Sequence, residues 1–583
     1  MNIVFFHPQE PLVQAFRAQG HTVVCPPPKS GVYNLHFLLD GASPDLIIQM
    51  ESLGPRLFIS GLENAPCPTL FWAIDSHLNL YWQRWYTLLF DAVLTPHPSL
   101  FCPLPSFCKP PDLHRMAWFG ARRAWIPHSE RAHTISFCGR LSEHRPIRSM
   151  LTQLLIPEGL FLQSDIPSDE MMNLYDQSRV VPNESIALET NFRLLEAGSC
   201  GCLVLSQNIG EDQNSLLTPG EEFLVYHDGL ELLEQARWAK ARPHSVEAMG
   251  KAAMRRIQAE HLPEHRVRTM LRCAANATQK RLRGNAAALA FWLTLAPRLR
   301  NHTLPLGRAN YAALGLELLH TAAASSPDAQ CRALARAALG QIICLLAESS
   351  SPVAKEQALR ISAEIARYPT SGPGGTPADA QSIPARLSIF FEEKPPAAWP
   401  EIASPAIACS LRDKQLPLAR QLRLIAATHF AQAAGEIPGA DMPSLALQWA
   451  QHMEHRGEIF WAGFGFDPEQ GMLPDDALNW LTFAAHACGG LNREMKLCRK
   501  RLLAKTPALI YSHMGALADI SLNDPDNWRA QLDYGLACLR CLRMQAGLFE
   551  LAQARDKAQA KGDARAFSLA LRKLPAHLQT LLA

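Results

Sequence analysis

The chain holds 583 residues, 48% of them hydrophobic, enough for about three or four domains, each with its own core. Its 56 lysines and arginines nearly balance 54 acidic residues, and a net charge of +2 gives no electrostatic case for nucleic acid or an anionic membrane as partner. The opening MNIVFFHPQE lacks a basic leader, no apolar run reaches the length of a transmembrane segment, and the 15 cysteines are scattered as reduced thiols would be, so a cytoplasmic protein is expected.

From Met1 to about residue 128 the apolar runs are short: Ile3 to Phe6, His21 to Cys25, Leu46 to Gln49, Thr69 to Ile74 and Ala92 to Thr95. Helical or turn stretches separate them, the alternation of a Rossmann-like α/β domain. His7-Pro8-Gln9 follows the first run where a dinucleotide fingerprint would need GxGxxG, so no dinucleotide is expected there.

A second α/β region covers residues 129 to 280. Its strands are expected at Thr134 to Cys138, Leu160 to Gln163, Arg179 to Val181, Leu203 to Ser206 and Glu222 to Tyr226, and a long helix runs from Val246 to about Thr278. From 285 to 367 and from 406 to 583 the pattern is helical, in pairs such as Tyr311 to Ala324 with Ala329 to Ala347 and Trp528 to Arg543 with Ala546 to Ala560. A Pro/Gly-rich stretch, 368 to 405, reads as a loop or linker between them. The fold class is thus α/β plus all-α: two Rossmann-like domains, then a helical-repeat or bundle region. Pro525, Trp528, Leu532 and Gly535 have tetratricopeptide-like spacing without a second clean copy, so a degenerate repeat and a plain bundle both stay open. Cys538 and Cys541 form a CxxC inside a helical pattern with no second pair, and Asp524-Pro-Asp526 falls in a helix-connecting turn; neither reads as a metal site.

The richest stretch is Val180 to Leu205, a strand, loop, helix and strand of one βαβ unit, whose ligand side lies beyond the carboxyl ends of the strands. Glu196 sits on its helix near Gly198 and Gly201, small residues that let a nucleoside approach the backbone, and a carboxylate there can accept from sugar hydroxyls. Arg193, one turn earlier on the same face, either pairs with Glu196 or reaches a phosphate. Gly139 and Arg140 follow a strand and, with Arg145, lead into a helix. A glycine there admits a diphosphate and arginines offer forked donors to it. Asp75 ends an apolar run with His77 two residues on. It can deprotonate an acceptor hydroxyl, orient the acceptor, or simply cap the following helix, and His7 has a similar place after the first strand.

Four segments carry a resemblance: Pro68 to Asp75, Ser136 to Arg140 followed by Arg145, Asn191 to Glu196 with Gly201, and Gly220 to Asp228 followed by a helix. In order and separation, Met1 to about Lys280 resembles GT-B glycosyltransferases, more closely the bacterial CgeB-like, spore-maturation group. The resemblance implies that Glu196 holds the ribose of a nucleotide-sugar and that Arg140 and Arg145 hold its diphosphate, with Asn191 and Arg193 in the same donor site and no metal or cofactor. One departure stands out. Many retaining GT-B enzymes carry a glutamate eight positions before the ribose-binding one, but here that position is Leu188; Glu184, after Asn183 at the strand end, can supply the donor-sugar contact instead. The expected function is sugar transfer from a nucleotide-sugar to an acceptor, with the helical region recruiting a protein acceptor such as flagellin. The alternative is a non-catalytic GT-B-like scaffold.

Overall fold

A computed structural model describes residues 1–295 and 442–582, apart from 28–29, 53–55, 105–108, 144, 278–279, 284–286, 288–289, 292–293, 456 and 462–475. The 368–405 linker and the helix pair expected between 311 and 347 lie outside the described residues. The chain forms two compact units, each made of two chain segments: Met1–Arg115 with Met270–Met495, and Met116–Thr269 with Lys496–Ala583.

The first unit is built on an all-parallel sheet of β1 (Asn2–Phe6), β2 (Thr22–Val24), β4 (Leu46–Met50), β6 (Thr69–Trp72), β7 (Ala92–Thr95) and β8 (Leu113–Arg115), in the order β2-β1-β4-β6-β7-β8. β3 (Gly31–Asn34) and β5 (Leu57–Ser60) pair separately. The strands β4, β6 and β7 are buried at every residue, as strands covered on both faces must be, which is why they read as continuous apolar runs. Connections leave β1 in opposite directions, to β2 on one side and eventually to β4 on the other. The carboxyl ends of β1 and β4 therefore mark the topological switch point of this sheet.

The second unit repeats the arrangement with β9 (His133–Cys138), β10 (Leu160–Gln163), β11 (Ser178–Asn183), β12 (Leu203–Gln207) and β13 (Leu224–Tyr226), all parallel, in the order β10-β9-β11-β12-β13. Its switch point lies between β9 and β11. Alternation along the strands sends Ile135, Phe137, Val180, Leu203 and Leu205 to one face and Cys138, Val181 and Val204 to the other, each face having its own core.

The first of those cores also contains Met514, Leu517, Ala537, Cys538, Cys541 and Leu542 from the C-terminal helices. Helices Ile510–Asn523 and Trp528–Arg540 thus share apolar packing with the second sheet, where the sequence suggested an appended region. The CxxC thiols are part of this core, and burial pushes Cys541 up to about 12. Asp524 and Asp526 lie in the turn before Trp528, where Asp524 accepts from the Asn527 side chain at 3.1 Å. Among the described residues, no helix is long and apolar enough to cross a membrane.

Candidate functional site

At the switch point of the second sheet, three strand ends are tied together by two buried arginines. Arg193 opens the helix Arg193–Ser199 and turns back toward the sheet. It donates to Asn183 Oδ1 at 3.1 Å on β11, to the Cys138 carbonyl at 3.0 Å on β9 and to Tyr175 Oη at 3.3 Å, over the Phe137 ring. Its donors are spent on protein acceptors, so it is a strut. It neither bonds Glu196 nor presents a free fork to a phosphate. Asn183 continues the tie by donating to Ser206 Oγ at 3.0 Å on β12.

The second arginine, Arg148, was not singled out from the sequence. It lies one turn after Arg145 on the helix Pro146–Leu155 and holds Glu184 with both forks, at 2.6 and 3.1 Å, while donating to the Arg140 carbonyl at 3.2 Å. Glu184 is only 2% exposed. Its carboxylate is therefore engaged with Arg148 instead of standing open for a donor sugar. A Cβ on Gly139 would lie 2.9 Å from Arg193 Nη2 and 3.2 Å from Arg148 Nη1, so the glycine makes room for these guanidiniums before any ligand.

The loop from β11 to the helix is organised by Glu189. Its carboxylate accepts the N–H groups of Ile186 at 3.1 Å and Ala187 at 2.8 Å and the Ser185 hydroxyl, which holds Leu188 at φ +58°. No carboxylate in this loop is left for the role that position 188 would carry. Asn191 donates to the Glu184 carbonyl at 2.7 Å, while its own Oδ1 is buried and has no partner among the described residues.

Two charged groups remain uncommitted. Arg145 is partly buried and its side chain has no hydrogen-bond acceptor among the described residues; burial first, and Arg148 beside it, pull its pKa below the usual arginine value. Glu196 is partly buried one turn beyond Arg193, its carboxylate without a hydrogen-bond partner among the described residues. Burial pushes its pKa up to about 7, against the pull of Arg193. A partly buried carboxylate with its pKa raised this far and no hydrogen-bond partner among the described residues is poised to accept hydroxyl donors once ionised. Affinity for a ligand that donates hydroxyls to Glu196 should accordingly rise between pH 6 and pH 8, as the carboxylate ionises through about 7, and should be flat across that range in Glu196→Gln; calorimetric titration with a nucleotide-sugar, whose esterified diphosphate does not titrate there, checks this.

The remaining expected residues lie further out. Arg140 is exposed and faces Asp165 at 3.6 Å. Gly201 sits at the opposite end of the helix from Arg193, at φ +73°, where a Cβ would meet the Trp125 ring at 2.6 Å and where its carbonyl bonds His128 Nε2 at 2.9 Å. Its place is in helix-to-strand packing.

In the first unit, Asp75 precedes the helix Ser76–Tyr86 without capping it through its side chain, and His77 is buried, edge-on to His97 at 5.6 Å. The sequence reading missed Glu51, the residue following β4. Buried there, it accepts the N–H groups of Ile74 and Asp75, both at 2.8 Å, and the Asn79 amide at 2.7 Å; burial raises its pKa despite these bonds. His7, after β1, is likewise buried, at φ +58°, and its pKa is lowered by burial. A lone acid straight after five apolar or amide residues was the available signal for Glu51.

Several solved structures share a broad likeness with the chain. A sucrose-phosphate synthase from Thermosynechococcus elongatus is 12% identical, with TM-score 0.35 over 47% of this chain and 98% of that one. Anabaena Alr3699/HepE in complex with UDP-glucose is 11% identical, with TM-score 0.32 over 47% of this chain and 99% of that one. The pneumococcal O-GlcNAc transferase GtfA in complex with UDP and GlcNAc is 11% identical, with TM-score 0.29 over 40% and 56%. No curated protein matches the chain. Residues 156–272, which include β10 to β13, Arg193 and Glu196, match the glycosyl transferase-like family model, so this stretch of the second unit is a glycosyltransferase-like domain.

Proposed function

We propose that the protein transfers a sugar, of hexosyl type, from a nucleotide-sugar to an acceptor hydroxyl as a GT-B, CgeB-like enzyme of the cytoplasm. The observation that carries this reading is the pair of uncommitted charges in the glycosyltransferase-like unit, Arg145 and Glu196, at the end of the sheet where open α/β folds bind ligands.

In this reading the ribose hydroxyls donate to the Glu196 carboxylate, and the diphosphate lies against Arg145, with Arg140 at the solvent side. The N-terminus of the helix Pro146–Leu155 adds partial positive charge where the leaving group collects negative charge. The bond that breaks joins the sugar's anomeric carbon to the diphosphate oxygen; the bond that forms joins that carbon to the acceptor oxygen. The acceptor's proton passes to a carboxylate or imidazole, for which Asp75 and His77 are the candidates, held by Glu51 through the Asp75 N–H. The phosphate charge is met by arginine, so the proposal needs no metal. The helical region stands as the surface for a protein acceptor, flagellin being one that the proposal admits.

One observation favours a second reading. Leu188 occupies the place of a sugar-contacting glutamate, Glu189 is consumed by its own loop and Glu184 by Arg148, as a scaffold without turnover would allow. Titration with UDP, GDP, dTDP and CDP separates binding from its absence, and release of free sugar from the bound donor separates turnover from scaffold. Arg145→Ala should weaken the preferred diphosphate about 10- to 100-fold, the loss of one charge-assisted contact, while leaving affinity for the bare nucleoside unchanged. Equal losses for nucleoside and diphosphate would remove Arg145 from the phosphate.

A further inference from the structure

Within the second unit, the carboxyl ends of β12 and β13 and the C-terminal helices enclose a cleft of about 380 Å³. The sheet side contributes Leu188, Gln207, Asn208 and His227; the helical side contributes Leu503, Ile510, Leu536, Leu574 and Leu578. Its volume is that of a small-molecule site, and its walls are mostly aliphatic.

The polar groups on these walls are unevenly committed. Asp228, the acid of the lining, is spent: Oδ1 accepts from the N–H groups of Leu230 and Glu231 at 2.9 and 3.1 Å, and Oδ2 meets His577 Nε2 at 2.8 Å. His227 pairs with Glu231 at 2.8 Å. Arg540, by contrast, has no acidic partner among the described residues, and His513 Nε2 is buried without a partner among them. Burial first, then Lys500 and Arg540, lower the pKa of His513 against the pull of Asp533; Lys500 is paired with that acid at 2.9 Å, which leaves Arg540 as the uncompensated cation beside the ring. Leu188 reaches the cleft from a backbone at φ +58°, a conformation that costs an L residue energy and is held here by the Glu189 bonds to its loop. Surplus positive charge at one part of an aliphatic cleft selects an anion with an apolar body.

The geometry points to a binding site for an amphipathic anion, an apolar chain or ring bearing one phosphate or carboxylate, with its body on the leucines and its head group on Arg540 and His513. The inference does not rest on the donor reading, although Leu188, which holds the place of a sugar-contacting glutamate there, is also a wall of this cleft. The test uses the full-length protein and the fluorescent probe 8-anilinonaphthalene-1-sulfonate. Saturable one-to-one binding is expected, weakened at least about tenfold by Arg540→Gln, which removes one charge-assisted contact from an exposed position, and abolished by Ala504→Trp, which fills the cleft from an exposed wall. Displacement by decyl phosphate but not decanoate identifies a phosphate head group, the reverse identifies a carboxylate, and displacement by both shows recognition of charge alone. The proposal is overturned if the probe does not saturate, if either variant binds it as the unaltered protein does, or if neither decyl compound displaces it. Nucleoside diphosphate binding, measured on the same samples, is expected to be unchanged by Arg540→Gln, so failure here leaves the donor site to be judged separately.

Discussion

Arg148→Ala is expected to destabilise the second unit by about 3–5 kcal/mol, the cost of leaving one member of a buried ion pair without the other. The geometry makes the penalty large. Arg148 is 5% exposed and Glu184 2% exposed, the pair is bidentate, and the arginine also satisfies the Arg140 carbonyl at the end of β9. With the guanidinium gone, Glu184 must either keep an unpaired charge away from water or take up a proton. Denaturant melts of the single variant should show the full loss. The double variant Arg148→Met, Glu184→Leu should recover most of it, because replacing both partners with apolar groups of similar volume avoids the orphaned charge. If the single variant melts like the unaltered protein, the pair is not the clamp described here.

Glu196→Ala is expected to move stability and binding in opposite directions. A carboxyl group whose pKa is about 7 when folded and near 4.5 when unfolded binds more protons in the folded state between those values, so stability falls as pH rises through that window and stays low above it. At pH 8 the folded protein bears the whole cost of a poorly solvated charge, and removing the carboxylate should stabilise it by up to about 3 kcal/mol, less whatever solvent reaches the recess. The same substitution should weaken the preferred nucleoside diphosphate about 10- to 100-fold, since one or two ribose hydroxyls lose a charged acceptor. A residue kept for packing would lose stability on truncation; one kept for a ligand gains it. Thermal melts at pH 5 and pH 8, with and without nucleotide, show which holds, and the stability gain should fall below about 1 kcal/mol at pH 5 and vanish below about pH 4.

Much of the framework was legible because parallel strands buried on both faces leave compact apolar runs. Ala92–Thr95 and Leu160–Gln163 are strands over the residues the sequence indicated. The strands that escaped notice, Gly31–Asn34, Leu57–Ser60 and Leu113–Arg115, had weaker signals: the first and last have no fully buried residue, and all three are three or four residues long. At the site, the sequence indicated a cluster of arginines and acids but not how they divide their bonds. Arg145 and Arg148 are one turn apart on one helix, and nothing local says that the second turns inward; that depends on Glu184, 36 residues away. Likewise Arg193 shares a helix face with Glu196 and reads as its partner or as a phosphate contact, but the Cys138 carbonyl and Asn183 at two strand ends compete successfully for the guanidinium. The outcome leaves Glu196 without a hydrogen-bond partner among the described residues, and only the tertiary fold could determine that.

The central claim is that Glu196 grips the ribose of a nucleotide-sugar. Its most direct test compares affinities for the preferred nucleoside diphosphate and its 2′-deoxy counterpart, in the unaltered protein and in Glu196→Ala, at pH 8. The account predicts that the unaltered protein prefers the ribonucleotide by about tenfold or more, and that the variant binds both forms with the same reduced affinity. A variant that still prefers the ribonucleotide by the original factor would contradict it.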